Sequence, residues 1–118
     1  MALILVVDDD PQIRQWIQDA LESDGLEVVT ATEGLRALEL AARRPPALVV
    51  LDVTLPGLHG AEIARGLRRI AGKQLPILVI TADGRATEKA AQAQAFAYLC
   101  KPFSVDELLT TVRRGLGE

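Results

Sequence analysis

The sequence predicts an α/β fold, an open doubly wound sheet of five parallel strands covered by five helices. Short apolar runs alternate along the chain with longer stretches at helical spacing, the pattern of repeated strand-helix units. The short runs are mostly unbroken, as in strands buried on both faces. With 118 residues the chain has room for one complete core and not for two ordinary domains, so residues 1–118 read as a single domain.

Leu3 to Val7 is the first strand candidate, and it runs directly into Asp8-Asp9-Asp10. Asp10 before Pro11 suits a helix start, with the acid as cap and proline in the first turn. Ile13, Trp16, Ile17, Ala20 and Leu21 then form an inward stripe that Gly25 ends. Glu27 to Ala31 is the second strand. Leu35, Leu38 and Ala42 mark the second helix, closed by Pro45-Pro46, before the strand Leu48 to Leu51. Ile63, Ala64, Leu67 and Ile70 mark the third helix, closed by Gly72, and Ile77 to Ile80 is the fourth strand. The fourth helix, within Arg85 to Ala95, is almost all alanine and polar residues, so its propensity is high and its buried face thin. Phe96 to Leu99 is the fifth strand. Ser104-Val105-Asp106-Glu107 reads as a capping box, followed at helical spacing by Val105, Leu108, Leu109, Val112 and Leu116.

Composition narrows the function. Hydrophobic residues make up 49% and charged ones 25%, the balance of a folded globular protein, and no run reaches a membrane span. The apolar start lacks a basic lead and a cleavage site, which points to the cytoplasm. A net charge of -3 argues against direct nucleic-acid binding by this domain. The lone Cys100 reads as a small buried filler. Arg43-Arg44, Arg68-Arg69 and Arg113-Arg114 read as solvated helix ends that suit the macrodipole.

In an open doubly wound sheet, ligands bind beyond the carboxyl ends of the strands. The polar residues fall there: Asp8 and Asp9 after the first strand, Asp52 after the third, Thr81 after the fourth and Lys101 after the fifth. Clustered acids repel by roughly 4 kcal/mol per close pair at an effective dielectric near 20, so such a cluster implies a bound cation. The donors are all oxygens, which fits magnesium or manganese better than zinc or copper. The set meets the needs of phosphoryl transfer to a carboxylate, with Asp52 as nucleophile, Lys101 as a compact cation for a phosphoryl oxygen and Thr81 as a hydroxyl donor. Each has an ordinary alternative as a cap, a solvated lysine or a turn residue; their joint placement on one rim outweighs those readings. Asp10 is better explained as a helix cap than as a metal ligand.

At these residues the chain resembles the receiver domains of two-component response regulators over essentially its whole length. Asp8-Asp9 resembles the family's acidic pair, Asp52 in Leu51-Asp52-Val53-Thr54-Leu55-Pro56-Gly57 its phosphoacceptor, Thr81-Ala82 its switch hydroxyl and Lys101-Pro102-Phe103 its lysine motif. The resemblance implies the flavodoxin-like strand order 2-1-3-4-5. It implies that Asp52 takes a phosphoryl group from a phosphohistidine on a sensor histidine kinase or phosphotransfer protein, without turnover of an external substrate. The cation, Mg2+ or alternatively Mn2+, would be held by Asp9, Asp52 and the backbone carbonyl of Thr54, with Asp8 assisting through water. Thr81 and Tyr98 would form the switch pair, although Tyr98 reads equally well as an aromatic packing a sheet edge. The Lys101-Pro102 bond would be cis. A downstream protein would read the face formed by the fourth helix, fifth strand and fifth helix, with the chain a monomer or weak dimer.

Two departures stand out. From Thr81 to Lys101 the chain is about two residues shorter than the family pattern, and Gln94 stands where a glycine usually ends the fourth helix. Thr54 and Asp83 resemble the positions that tune loss of the phosphoryl group to water, and His59 reads as a solvated loop residue. Two rivals come from other classes. Asp8-x-Asp10 looks like the nucleophile motif of haloacid-dehalogenase-type aspartyl-phosphate hydrolases, but Gln12 and the short chain do not fit. A receiver-like scaffold that is never phosphorylated is the other, kept open by the shortened fourth-helix region.

Overall fold

A computed structural model describes residues 2–53, 60–82 and 85–118. Strands and helices alternate throughout: β1 (Leu3–Val7), α1 (Pro11–Ser23), β2 (Glu27–Ala31), α2 (Gly34–Arg43), β3 (Leu48–Asp52), α3 (Gly60–Ala71), β4 (Ile77–Thr81), α4 (Ala86–Gln92), β5 (Ala97–Cys100) and α5 (Val105–Gly115). The strands form one parallel sheet in the order β2-β1-β3-β4-β5.

Side chains of each strand alternate between the two faces, which divides the core. Leu5, Val7, Val49, Leu51, Ile77 and Val79 pack with Ala37 and Ala41 of α2, Ala64 and Leu67 of α3, and Ala90 of α4. Ile4, Val6, Leu48, Val50, Leu78 and Ile80 meet Ile17 and Leu21 of α1 and Leu108 and Val112 of α5. Both faces are therefore apolar in β1, β3 and β4, which explains their unbroken runs.

The termini follow local chemistry. Asp10 Oδ1 accepts from the amides of Gln12 at 2.9 Å and Ile13 at 3.4 Å, making it the cap of α1. Gly25 at φ 85° and Gly72 at φ 112° take the left-handed conformation after α1 and α3. Ser104 and Glu107 form the reciprocal capping box of α5. Arg44 before the two prolines is extended, ending α2.

Several expectations are corrected. Trp16 is 39% exposed and packs on Phe103 instead of joining the inward stripe, with ring centroids 5.7 Å apart. In α2 the buried face is Gly34, Ala37 and Ala41, while Leu35 and Ala42 are exposed. Bulk misled the phase there: α2 lies so close to α3 that a Cβ on Gly66 would sit 2.9 Å from Leu38 Cδ2, and small residues serve that approach. Ile70 and Val105 are likewise exposed. Strand β5 begins one residue later than its apolar run and forms a sheet edge, so Cys100 is exposed and not a buried filler.

The arginine pairs are not simply solvated. Arg44 pairs with Glu27 and Arg113 with Asp24, tying helix ends to neighbouring segments. Arg68 reaches across from α3 to the carbonyls of Ala93 and Gln94, both at 2.7 Å, and of Leu75 at 3.3 Å. Helix α4 is only seven residues long and closes in a Schellman turn, Gln94 N to Ala91 O at 3.1 Å and Ala95 N to Ala90 O at 2.9 Å. Gln94, standing where a glycine is usual, has φ 54°, the left-handed conformation that glycine favours.

Candidate functional site at the carboxyl edge of the sheet

Register assembles the site. Val7 lies beside Leu51 and Asp52 beside Ile80, so the chain leaves β1, β3 and β4 at one level and brings Asp8, Asp52 and Thr81 to adjacent positions. Burial of polar groups is unfavourable without compensation. Among the described residues the buried polar or charged ones are these three, exposed by 0%, 2% and 0%.

Lys101 completes the arrangement. Its amide donates to Thr81 O at 2.8 Å, extending the ladder between β4 and β5 by one step. Its Nζ then donates to Asp52 Oδ2 at 2.8 Å and to Asp8 Oδ2 at 3.1 Å. The following peptide bond, Lys101-Pro102, is cis. Asp8 is fastened further: its amide donates to Ala31 O at 3.1 Å, and its Oδ1 accepts the Asp10 amide at 2.9 Å.

The charges perturb one another. Burial pushes the Asp8 carboxyl above the ordinary carboxylate value, a rise to which Asp52 adds and which the Asp10 amide and Lys101 oppose. Burial acts to lower Lys101, but its bonds to Asp52 and Asp8 outweigh that and hold the ammonium above its ordinary value. Asp8, Asp9 and Asp52 each offer an oxygen, all within 4.8 Å of one another. At that spacing two carboxylates repel by about 3–4 kcal/mol at an effective dielectric near 20. Three carboxylates facing one ammonium leave net negative charge on an all-oxygen donor set, which fits a hard divalent cation.

The four segments expected on the rim are thus brought together through Asp8, Asp9, Asp52, Thr81 and Lys101. Tyr98 stands apart on the edge strand, paired in register with Val79 and 44% exposed. Thr54, Asp83 and His59 lie outside the described residues. Asp10 spends its Oδ1 on capping α1, which removes the second acid that an Asp8-x-Asp10 hydrolase motif needs. Two further features carry no signal in the sequence. Arg14 of α1 donates from Nη1 to the Asp8 carbonyl at 3.0 Å, although helical spacing places it on the polar face. Beside Lys101, a groove of about 580 Å³ is lined by Gln12, Ile13, Trp16, Ala82, Pro102 and Phe103.

Known proteins are similar to this chain in sequence and fold. The sequence matches the response regulator receiver domain over residues 4–113. It is 45% identical over 112 residues to the response regulator MprA of Mycobacterium leprae, covering 93% of this chain and 49% of that protein. The chain thus spans about half the length of the curated relatives it matches. The chemotaxis protein CheY4 of Vibrio cholerae superposes with a TM-score of 0.90 at 34% identity, over 98% of this chain and 99% of that one. The receiver domain of the sensor histidine kinase PA1611 from Pseudomonas aeruginosa, solved with a magnesium ion coordinated in its active site cleft, superposes with a TM-score of 0.87 at 32% identity, over 99% and 98% of the two chains. With the family pattern matched across almost the whole sequence and the parallel sheet in the same topology, the chain belongs to the response regulator receiver domains of two-component signal transduction.

Proposed function

We propose that residues 1–118 act as one phosphoacceptor unit in which Asp52 receives a phosphoryl group from a phosphohistidine of a sensor histidine kinase or phosphotransfer protein. The observation that carries this reading is the ammonium of Lys101, 2.8 Å from Asp52 and 3.1 Å from Asp8, on a rim that also holds Asp9 and the buried Thr81. A carboxylate oxygen of Asp52 attacks phosphorus in line as the phosphorus-nitrogen bond breaks, and that electron pair returns to the histidine ring. The product is an acyl phosphate on Asp52.

Lys101 offsets charge on a phosphoryl oxygen, and Thr81 donates its hydroxyl to another. Asp8, Asp9 and Asp52, with the backbone carbonyl of Thr54, would hold Mg2+ or Mn2+. When bound, that cation neutralises charge on the phosphoryl oxygens. The magnesium-bound cleft of the Pseudomonas receiver domain supports this choice. Phosphorylation adds charge at the rim, draws the loop after β4 toward it and, with Tyr98, changes the face formed by α4, β5 and α5 that a downstream protein reads. Thr54 and Asp83 tune loss of the phosphoryl group to water, and His59 stays outside the chemistry. We place the domain in the cytoplasm as a monomer or weak dimer, without direct nucleic-acid contact; among the described residues no helix is long and apolar enough to cross a membrane.

Acetyl phosphate with MgCl2, followed by intact mass, tests the reading. A single phosphoryl adduct is expected on the wild type and none on Asp52→Asn or with EDTA. An unmodified wild type would favour a scaffold instead, and steady turnover of small phosphomonoesters would favour a hydrolase.

A further inference from the structure

Arg14 stands six residues after Asp8 and touches the acidic site through backbone alone, its Nη1 3.0 Å from the Asp8 carbonyl. That carbonyl belongs to the peptide that joins Asp8 to Asp9. Because the peptide is planar, holding its oxygen fixes the orientation from which the Asp9 backbone and side chain depart. The two neighbouring acids are secured by other means. Asp8 accepts from the Asp10 amide and from Lys101, and Asp10 caps α1. Asp9 is exposed, and among the described residues nothing donates to its carboxylate, yet it lies within 4.8 Å of the other two acids.

We propose that Arg14 is a positioning residue for the divalent cation, aiming the Asp9 carboxylate at the point it shares with Asp8 and Asp52 by fixing the Asp8-Asp9 peptide. This rests on the cation reading above. Charge and geometry act in opposite directions here. A guanidinium beside a dication repels it, so loss of charge alone would tighten binding; loss of the aimed ligand weakens it. The sign of the change therefore decides which effect Arg14 supplies.

The test is calorimetric titration of the full chain, stripped with EDTA, with MgCl2. Arg14→Met keeps the aliphatic stem and deletes the donor; it is expected to raise the Kd for Mg2+ about tenfold, as loss of a group that orients a metal ligand does. Arg14→Lys, whose ammonium restores a donor, is expected to recover most of the affinity. Thermal melts in EDTA report any general loss of stability separately. Should Arg14→Met not fold, Arg14→Gln, whose amide is too short to reach, carries the same expectation. Unchanged or tighter binding in the neutral variant overturns the role of Arg14 while leaving the cation site intact. A wild type that takes up no Mg2+ overturns the cation reading and this inference with it.

Discussion

The ammonium of Lys101 bridges Asp52 and Asp8, lying 2.8 Å from an oxygen of one and 3.1 Å from an oxygen of the other across 49 and 93 residues of sequence. One lysine therefore ties the last strand to the first and third at the point where their charges collect. Removing it leaves two buried carboxylates facing each other. Lys101→Met is expected to lower stability in EDTA by about 1–3 kcal/mol, a value kept below that of a fully buried pair because the lysine side chain retains 14% exposure. Added MgCl2 restores part of the loss, so the magnesium-dependent rise in Tm is larger in the variant than in the wild type. An equal rise in both would show that the ammonium does not offset the acids.

Asp8 presents the converse case. Its carboxyl is held above its ordinary value chiefly by burial, so its ionised form is disfavoured in the fold. Asp8→Asn is expected to raise the Tm in EDTA at pH 7, because it removes a charge that burial disfavours. The same variant loses affinity for Mg2+, and saturating MgCl2 reverses the ranking. A variant that melts below the wild type in EDTA contradicts the prediction.

Gln94 holds φ 54° at the end of α4, where a residue with a Cβ is disfavoured by roughly 1–2 kcal/mol. Gln94→Gly is therefore expected to raise stability by about 1 kcal/mol, measured by urea unfolding with an unchanged m-value. The side chain is exposed and its removal opens no cavity. A midpoint that does not rise would mean that Gln94 makes a compensating contact through its side chain.

The Glu27 carboxyl lies below its ordinary value, held there mainly by its hydrogen bond from Arg44. A depressed carboxylate adds stability above its unfolded value of 4.5, and that stability disappears as pH falls through the folded value. Arg44→Met is accordingly expected to melt slightly below the wild type at pH 7 and to match it once Glu27 is protonated. The pair is exposed, so high salt should also erase the difference. A gap in Tm that persists at acid pH would assign the effect to packing of the arginine stem.

Expectation and structure agree most closely where a pattern spans several residues and diverge where a single side chain sits at an edge. The continuous runs of β1, β3 and β4 and the capping box of α5 need no distant information, because pleat and cap are local. Leu35 and Trp16 show the limit. Each is large and apolar within a helical pattern, yet one is exposed beside small residues that bring α2 close to α3 and the other leans on Phe103 across the groove. Arg68 appeared as a helix-end cation, but it bonds to two carbonyls at the end of α4 because α3 and α4 are neighbours on the same sheet face.

From sequence alone came the fold class, the acids after the first and third strands and the lysine after the fifth, which follow from periodicity and from residue type at strand ends, and the family, which follows from the resemblance of the motifs at those positions. Only the tertiary structure decided that Lys101 touches both Asp52 and Asp8, that Asp9 stays exposed while Asp8 is wholly buried, and that Arg14 reaches back to the Asp8 carbonyl. Strand register and the angle at which a helix leaves its strand set those distances, and both arise from packing among segments that are remote in the chain.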